Sequence, residues 1–449
     1  MTTLTSNFEP EAVTPGSATE LPNPAQQEFS SVAVIGLGYI GLPTAAVLAR
    51  NGIDVIGVDI SFDTVDAVNR GEVPFVEPDL GVHVAGAVAQ GKLKAQLTVP
   101  EAPVYVIAVP TPFLDNKSAD LSYIKAAAEA IVPQLHGGEL VILESTSPPG
   151  TTRKLADFIL AARPDLSLDG SDGRPVIYFA HCPERVLPGK VMIEIVTNDR
   201  VVGGLNEGAS AMASRLYKIF CQGRIMETDA TTAELSKLVE NTYRDVNIAL
   251  ANELSIVSEN LGVNVWELID IANHHPRVNI LQPGPGVGGH CIAVDPWFIV
   301  AADEANTPLI RTAREVNDAK PAHVVRQILA PFATTENPVI AALGLSFKAN
   351  IDDTRGSPAV KIVRKLAKKR PDATILAVMP FADEVPVELR GLANVRAASI
   401  DEALEQADAV ALLVNHDKFK EIDTDRLAGK HVVDTRGFWP TVIAANERS

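Results

Sequence analysis

Residues 31–41 read Ser-Val-Ala-Val-Ile-Gly-Leu-Gly-Tyr-Ile-Gly, and the reading of this stretch decides the fold. Val32 to Ile35 form a continuous apolar run, the mark of a strand buried on both faces. Gly36, Gly38 and Gly41 follow in the spacing GxGxxG, where the pattern turns helical. Gly36 permits a tight turn, Gly38 lets the backbone approach a pyrophosphate, and Gly41 allows close packing of helix on strand. Tyr39 and Ile40 lie in the same turn, beside N–H groups that a helix N-terminus offers to phosphate. The next apolar run, Val55 to Val58, ends on Asp59, where an acidic residue meets the ribose of a dinucleotide. The charge on Asp59 repels the 2′-phosphate of NADP, so the predicted cofactor is NAD. The plain alternative is a structural turn with a solvated aspartate, and the context on both sides disfavours it.

The alternation continues outward from this stretch. Apolar runs at 53–58, 104–109 and 139–143 are separated by helical patterns at 40–51, 62–70, 78–90 and 120–134. Further strands are expected at 175–180, 200–203 and 224–227, giving βαβ units and a parallel sheet. Residues 230–262 hold no Pro or Gly before Gly262, and Leu235, Leu238, Val239, Val246, Ala249, Leu250 and Leu254 recur near helical spacing. One helix is predicted here, about 45 Å long, with Thr231 or Thr232 near its cap and Glu234 in its first turn. Strands are expected again at 338–344, 373–378, 408–414 and 430–434, with helices at 357–369, 400–407 and 416–427. The fold class is therefore α/β: two Rossmann-like parallel-sheet domains joined by a long central helix and a helical middle domain. The expected boundaries are 31–228, 229–330 and 331–449. Residues 1–30, with four glutamates and no basic residue, read as a disordered acidic tail without a secretory start.

Composition sets the outer limits. The 449 residues suggest about three folding units at roughly 150 residues each. A hydrophobic share of 46% with 21% charged residues excludes disorder of the whole chain. The 39 Lys and Arg against 56 Asp and Glu leave a net charge of −17, which argues against nucleic-acid or anionic-membrane partners. Three cysteines without a CxxC pair point to a reducing compartment, so a cytoplasmic location is expected. No apolar run reaches the roughly 18 residues of a membrane-spanning helix.

Candidate chemistry gathers in three places. Thr111 and Thr146 follow strand ends, where ligands of open α/β sheets bind, although threonines before proline are also ordinary turn residues. Cys291 follows Gly284, Gly286, Gly288 and Gly289, a run of glycines that can lie against a ligand. Its thiol reads as a nucleophile toward an aldehyde, as a metal ligand with His275, His290 or Asp295, or as an inert buried group. Glycine density favours the nucleophile, and the absence of chelating spacing disfavours a metal. Cys182 and Cys221 are assigned to packing; a neighbouring carboxylate, Glu184, is expected to raise the Cys182 thiol pKa. On the long helix Lys237, Asn241 and Arg244 share a face, either a solvated stripe or a polar face turned into a cleft.

With these residues in hand, the chain resembles the UDP-glucose/GDP-mannose dehydrogenase family from about Ser31 to Trp439. The motifs carrying the likeness are GLGYIGLPTA (36–45), AVPTPF (108–113), LESTSPPGTT (143–152), CPERVLPG (182–189), NTYRDVNIALANELS (241–255), HPRVNILQPGPGVGGHCIAVDPWFIV (275–300), LIRTAREVND (309–318), NIDDTRGSPA (350–359) and VVDTRG (432–437). The resemblance implies a four-electron, NAD-dependent oxidation of a sugar C6 alcohol to a carboxylate, through a thiohemiacetal and a thioester on Cys291. It gives Lys237 an acid/base and oxyanion-stabilising role, with Asn241 as its polar partner. Asp295 and Glu184 position or activate water, and Thr146 matches the corresponding threonine. Around a UDP-sugar it sets Arg185, Val186, Arg244, His275, Arg277, Gly288, Phe347, Lys348 and Arg436, besides Lys237 and Asn241; basic side chains suit a diphosphate. Arg355 matches an arginine that touches NAD. The substrate the resemblance implies is UDP-N-acetyl-D-mannosamine, with UDP-N-acetylglucosamine or UDP-glucose as alternatives. A homodimer or higher assembly through the middle helices is expected. The chain departs from the family pattern at Gly356, where Glu is usual, at His181, where Tyr or Asn is usual, and at Arg436, where relatives carry Lys.

Overall fold

The computed structural model describes residues 29–439 apart from 115, 116, 188, 290, 291 and 383. The predicted tail therefore lies outside the described residues except for its last two positions. Eight strands make the first sheet: β1 (Ser31–Ile35), β2 (Asp54–Val58), β3 (Leu93–Gln96), β4 (Val104–Ile107), β5 (Leu140–Leu143), β6 (Tyr178–His181), β7 (Arg200–Gly204) and β8 (Ile225–Asp229). Their order is β3-β2-β1-β4-β5-β6-β7-β8. β1 pairs in parallel with β2 (Ala33 opposite Ile56) and with β4 (Ala33 opposite Tyr105). The chain thus winds outward in both directions from β1, and the crevice beyond its carboxyl end is where such sheets bind ligands. β4 and β5 are buried at every residue, which explains their unbroken apolar sequence. One pair departs from the expected all-parallel sheet: β7 runs antiparallel to β6, because the connection with its Val191–Thr197 helix leaves the chain at the end of the sheet where β6 finishes.

The middle of the chain is helical. The long helix spans Ala230–Leu261, closed at its C-terminus by Gly262 in the left-handed conformation. Its cap is Asp229 rather than Thr231 or Thr232: the Asp229 carboxylate accepts from the Thr232 backbone N–H at 2.9 Å. Glu234 turns inward instead, accepting from the Thr152 and Gly150 N–H groups and so capping the neighbouring Thr151–Ala162 helix. The Pro308–Leu329 helix lies along the long helix, joined to it by a fully buried ion pair between Arg314 and Asp245. Asn317 completes that junction by donating to the Asp245 carboxylate at 2.8 Å.

The second sheet is wholly parallel, in the order β11-β10-β9-β12-β13. Its strands are β9 (Val339–Leu343), β10 (Thr374–Val378), β11 (Val395–Ala397), β12 (Ala409–Leu412) and β13 (His431–Asp434). The helix expected at 416–427 is realised as two short 3₁₀ turns, Asp417–Glu421 and Thr424–Leu427. Asp423 stands between them in extended conformation and accepts from the Asp425 N–H at 3.1 Å, so it caps a new turn instead of continuing the first. Among the described residues no helix is long and apolar enough to cross a membrane.

Candidate active site

The nucleotide turn has the geometry its glycines predict. Gly36 adopts φ +93°, and a Cβ there would stand 2.7 Å from the Ala108 carbonyl oxygen. A Cβ on Gly41 would collide with the Gly36 carbonyl, whereas one on Gly38 would meet nothing within 4 Å. That open space is what an approaching pyrophosphate needs. Asp59 accepts from the Leu37 N–H at 2.9 Å and from the Ser61 N–H at 2.9 Å, so backbone donors of the turn orient its carboxylate. Ile40 leads into the Gly41–Arg50 helix, and Tyr39 stacks on Phe75 at 4.2 Å. At the ends of β4 and β5 the Thr111 hydroxyl donates to the Thr146 carbonyl, linking two loops that the sequence presents as separate motifs. Arg355 reaches the same turn from the second sheet's side. Its guanidinium is held above its usual pKa by Asp353 first, and also by the Tyr39 phenol. These residues fit a dinucleotide: a backbone cradle without side chains and a carboxylate for the ribose.

A second group sits on the long helix. Asn241 is buried and donates from Nδ2 to Asp295 Oδ2 at 2.6 Å. Asp295, the first residue of the Asp295–Ala302 helix, is only 3% exposed. Burial pushes its carboxyl up to about 6, while the Asn241 hydrogen bond and the Lys237 charge draw it back. Lys237 precedes Asn241 by one turn, so the two face the same carboxylate. Cys291 and its neighbour His290, four and five residues before Asp295 in sequence, lie outside the described residues.

Glu184 and Arg185 are drawn to the same helix. Arg185 Nη2 pairs with Glu240 Oε1 at 2.6 Å, one residue before Asn241. Glu184 is buried and accepts from the Arg185 N–H at 2.6 Å and from Arg200 at 2.9 Å. Val186 packs against the core of the first sheet.

The glycine loop is fixed from both sides. The Gly284 N–H donates to Asn252 Oδ1 at 2.9 Å, and Asn252 is tied to Asn317 at 2.8 Å. Arg436, next to β13, lies against Gly284: a Cβ there would stand 2.7 Å from Arg436 Nη1. Burial pushes the Arg436 guanidinium down to about 10, with Asp434 opposing. Gly288 abuts Pro358, and Gly289 faces the Phe347 ring. The fold therefore gathers Gly288, Phe347 and Arg436 at one loop between the two sheets. Arg244, His275, Arg277 and Lys348 are exposed. Arg277 and His275 bond to each other, the Arg277 N–H donating to His275 Nδ1 at 3.3 Å.

Sequence reasoning gives no role to Arg200, Glu144 or Glu77, and marks Asn252 only as a poor filler for an exposed helix. Arg200 holds Glu184; its signal is a charge opening an otherwise apolar strand. Glu144 is buried beneath the Thr146 loop. Glu77 accepts from the Gly189 and Val191 N–H groups and pins the segment after Glu184. Asn252 anchors Gly284 from a helix position that an exposed surface would fill with Glu or Lys. The other cysteines are free thiols. Burial, more than any neighbouring carboxylate, pushes the Cys182 thiol up to about 12, and burial raises Cys221 too. Among the described residues no group of His, Cys, Asp and Glu is arranged to hold a metal ion.

Comparison with known proteins shows the family. Three domains of the UDP-glucose/GDP-mannose dehydrogenase family match in order: the NAD binding domain at 30–221, the central domain at 231–319 and the UDP binding domain at 341–441. The chain is 55% identical over 413 residues to an NDP-N-acetyl-D-galactosaminuronic acid dehydrogenase of Ralstonia nicotianae, covering 92% of this chain and 97% of that one. It is 52% identical over 420 residues to the UDP-N-acetyl-D-mannosamine dehydrogenase of Escherichia coli, covering 92% and 99%. Among solved structures, the UDP-N-acetyl-mannosamine dehydrogenase Cap5O of Staphylococcus aureus superposes with a TM-score of 0.79 at 41% identity, over 91% of this chain and 95% of that one.

Proposed function

The chain belongs to the UDP-glucose/GDP-mannose dehydrogenase family of NAD-dependent nucleotide-sugar dehydrogenases, and from that membership we propose that it oxidises the C6 alcohol of UDP-N-acetyl-D-mannosamine to the uronate. The observation that carries this reading is the buried Asp295, held by Asn241 beside Lys237 at the end of the cysteine loop. NAD, when bound, accepts the hydride in each of two oxidations. Lys237 provides the cation that stabilises the alkoxide and later the oxyanions. The Cys291 thiolate adds to the C6 aldehyde, forming a C–S bond, and the same sulfur leaves when water hydrolyses the resulting thioester. Asp295 and Glu184 are the carboxylates available to position and deprotonate that water. Thr146 stands next to the cofactor loop, and Thr111, Asp59, Gly36, Gly38, Tyr39, Ile40, Gly41 and Arg355 form the NAD site. Arg185, Val186, Gly288, Phe347, Lys348 and Arg436 hold the UDP-sugar, with Arg244, His275 and Arg277 completing the basic set that a diphosphate needs.

The proposed division of labour is 31–228 for NAD, 229–330 for the catalytic lysine and cysteine, and 331–449 for the nucleotide sugar. We infer a homo-oligomer from an exposed apolar stripe on the long helix, and a cytoplasmic location from the free thiols. A second substrate reading, UDP-N-acetyl-D-galactosamine, which differs from the manno sugar at C2 and C4, is favoured by the 55% identity to the Ralstonia enzyme. Purified protein offered NAD with each UDP-sugar in turn tests both. Two NADH per UDP-N-acetyl-mannosamine consumed is the expected result, and turnover confined to UDP-glucose overturns the reading. Cys291→Ser should abolish acid formation, and full activity in that variant removes the thioester route.

A further inference from the structure

We propose that Arg200 is a positioning residue that fixes the Glu184 carboxylate at the edge of the cleft, and that Glu144 governs how firmly it does so. The inference rests on the reading of Glu184 as a participant in the reaction. Arg200 opens β7 and is 3% exposed. From Nη2 it donates to Glu184 Oε2 at 2.9 Å and to the Ile195 carbonyl at 3.3 Å, while Nη1 lies 3.7 Å from the Cys182 sulfur. Its guanidinium rests against the rings of Tyr217 at 4.8 Å and Phe220 at 5.2 Å. A planar guanidinium clamped in this way fixes direction as well as charge. The other Glu184 oxygen takes the Arg185 N–H, so the carboxylate is held at both ends.

Behind Arg200 lies a second carboxylate. Glu144, 1% exposed, accepts from the Tyr217 hydroxyl at 2.8 Å and from the Thr44 hydroxyl at 3.1 Å. Thr44 belongs to the Gly41–Arg50 helix at whose start the cofactor cradle lies, so the chain of contacts runs from that helix to Glu184. The groups facing Glu144 are Thr44, Tyr217, Arg200, Glu184 and Cys182, and together they hold one permanent cation. Two ionised carboxylates would leave one buried negative charge uncompensated. Burial accordingly pushes the Glu144 carboxyl up to about 7, with Arg200 opposing, while Tyr217 and Cys182 are both pushed further up by burial and stay protonated. Protonated Glu144 leaves the guanidinium to Glu184. Ionised Glu144 would share the one cation that otherwise compensates Glu184.

The test compares Arg200→Lys, Glu144→Gln and Glu184→Gln in the full-length enzyme. It follows kcat, KM for NAD, the pH profile and the acyl-enzyme on Cys291 by intact mass. Arg200→Lys keeps the charge but loses the fork, so kcat should fall roughly tenfold or more, less than loss of an acid or base group costs. KM for NAD should change little, and acyl-enzyme should accumulate as it does in Glu184→Gln. Glu144→Gln keeps the Tyr217 hydrogen bond and cannot ionise, so its activity should no longer fall as pH rises past neutrality. An unaltered kcat in folded Arg200→Lys, alongside an impaired Glu184→Gln, overturns the positioning role. An alkaline limb that persists unshifted in Glu144→Gln overturns the role of Glu144, and this arm decides if Arg200→Lys does not fold. Full activity in Glu184→Gln refutes the underlying reading of Glu184 instead.

Discussion

Asp295 shows how a single residue trades stability for chemistry. Its folded pKa, about 6, lies above the ordinary aspartate value of 3.8. The folded state therefore holds the proton more tightly than the unfolded chain does. The stability this confers is complete below the unfolded value and is lost as pH rises through about 6. At neutral pH the ionised carboxylate is a cost, of order 3 kcal/mol at most. Asp295→Asn keeps an acceptor for Asn241 and removes that cost. Thermal melts should show the variant gaining on wild type at about pH 8, with the gap closing near pH 4, while NADH production falls roughly 10²-fold or more. A variant destabilised equally at both pH values would contradict the assignment. Asp59 makes a parallel case, since backbone N–H groups already orient its carboxylate. Asp59→Asn should raise KM for NAD and narrow the preference over NADP, as the ratio of kcat/KM for the two cofactors would reveal.

At the scale of elements, the regular pieces are legible in the sequence because each is strongly patterned. β1, β4, β5, β9 and β12 are continuous apolar runs, and the long helix ends within a residue of its expected Gly262 boundary. What stays hidden depends on partners distant in sequence. β3 and β11 are short edge strands of four and three residues with varying exposure, too brief to stand out. Asp229 escapes notice as a cap because it also ends β8. The site behaves likewise: Lys237, Asn241 and Asp295 are proposed from spacing and resemblance, whereas Arg200 stands in no quoted motif, and Glu144, although inside the 143–152 motif, has its partners Thr44 and Tyr217 far away in sequence. The Arg314–Asp245 pair is the clearest energetic case of such a hidden partnership. Both side chains are fully buried, and they join the two longest helices. Arg314→Met should cost about 3–5 kcal/mol in denaturant melts, because it strands a buried carboxylate. Burial already raises the Asp245 pKa, with Arg314 opposing, so removing Arg314 raises it further and acid should restore part of the loss. Combining Arg314→Met with Asp245→Leu removes both charges together, so the double variant should be more stable than the single one. Equal losses in both would deny the pair its assigned weight.

In the whole molecule the long helix has two working sides. Lys237, Asn241 and the Glu240 that binds Arg185 belong to the side turned toward the first sheet and the cysteine loop. At 3.6 residues per turn the opposite side carries Leu235, Val239, Tyr243, Leu250, Val257 and Leu261, each between 37% and 71% exposed. Leu268 and Ile271 of the next helix are exposed as well, at 37% and 62%. An apolar stripe of this length on a protein of net charge −17 is the surface on which the proposed homo-oligomer rests. A second copy is the occupant we infer, because an isologous interface lets one stripe bury itself against its own image. Val239→Glu combined with Leu250→Glu introduces a pair of carboxylates per chain on the stripe, doubled in a dimer. Light scattering after size exclusion should then report a monomer, with the far-ultraviolet spectrum unchanged because both positions are exposed in the single chain. Activity should fall along with the mass, since the same rigid helix carries Lys237 and Asn241. A wild-type mass that drops to a monomer only upon these changes supports the interface, whereas an unaltered mass in the double variant excludes it.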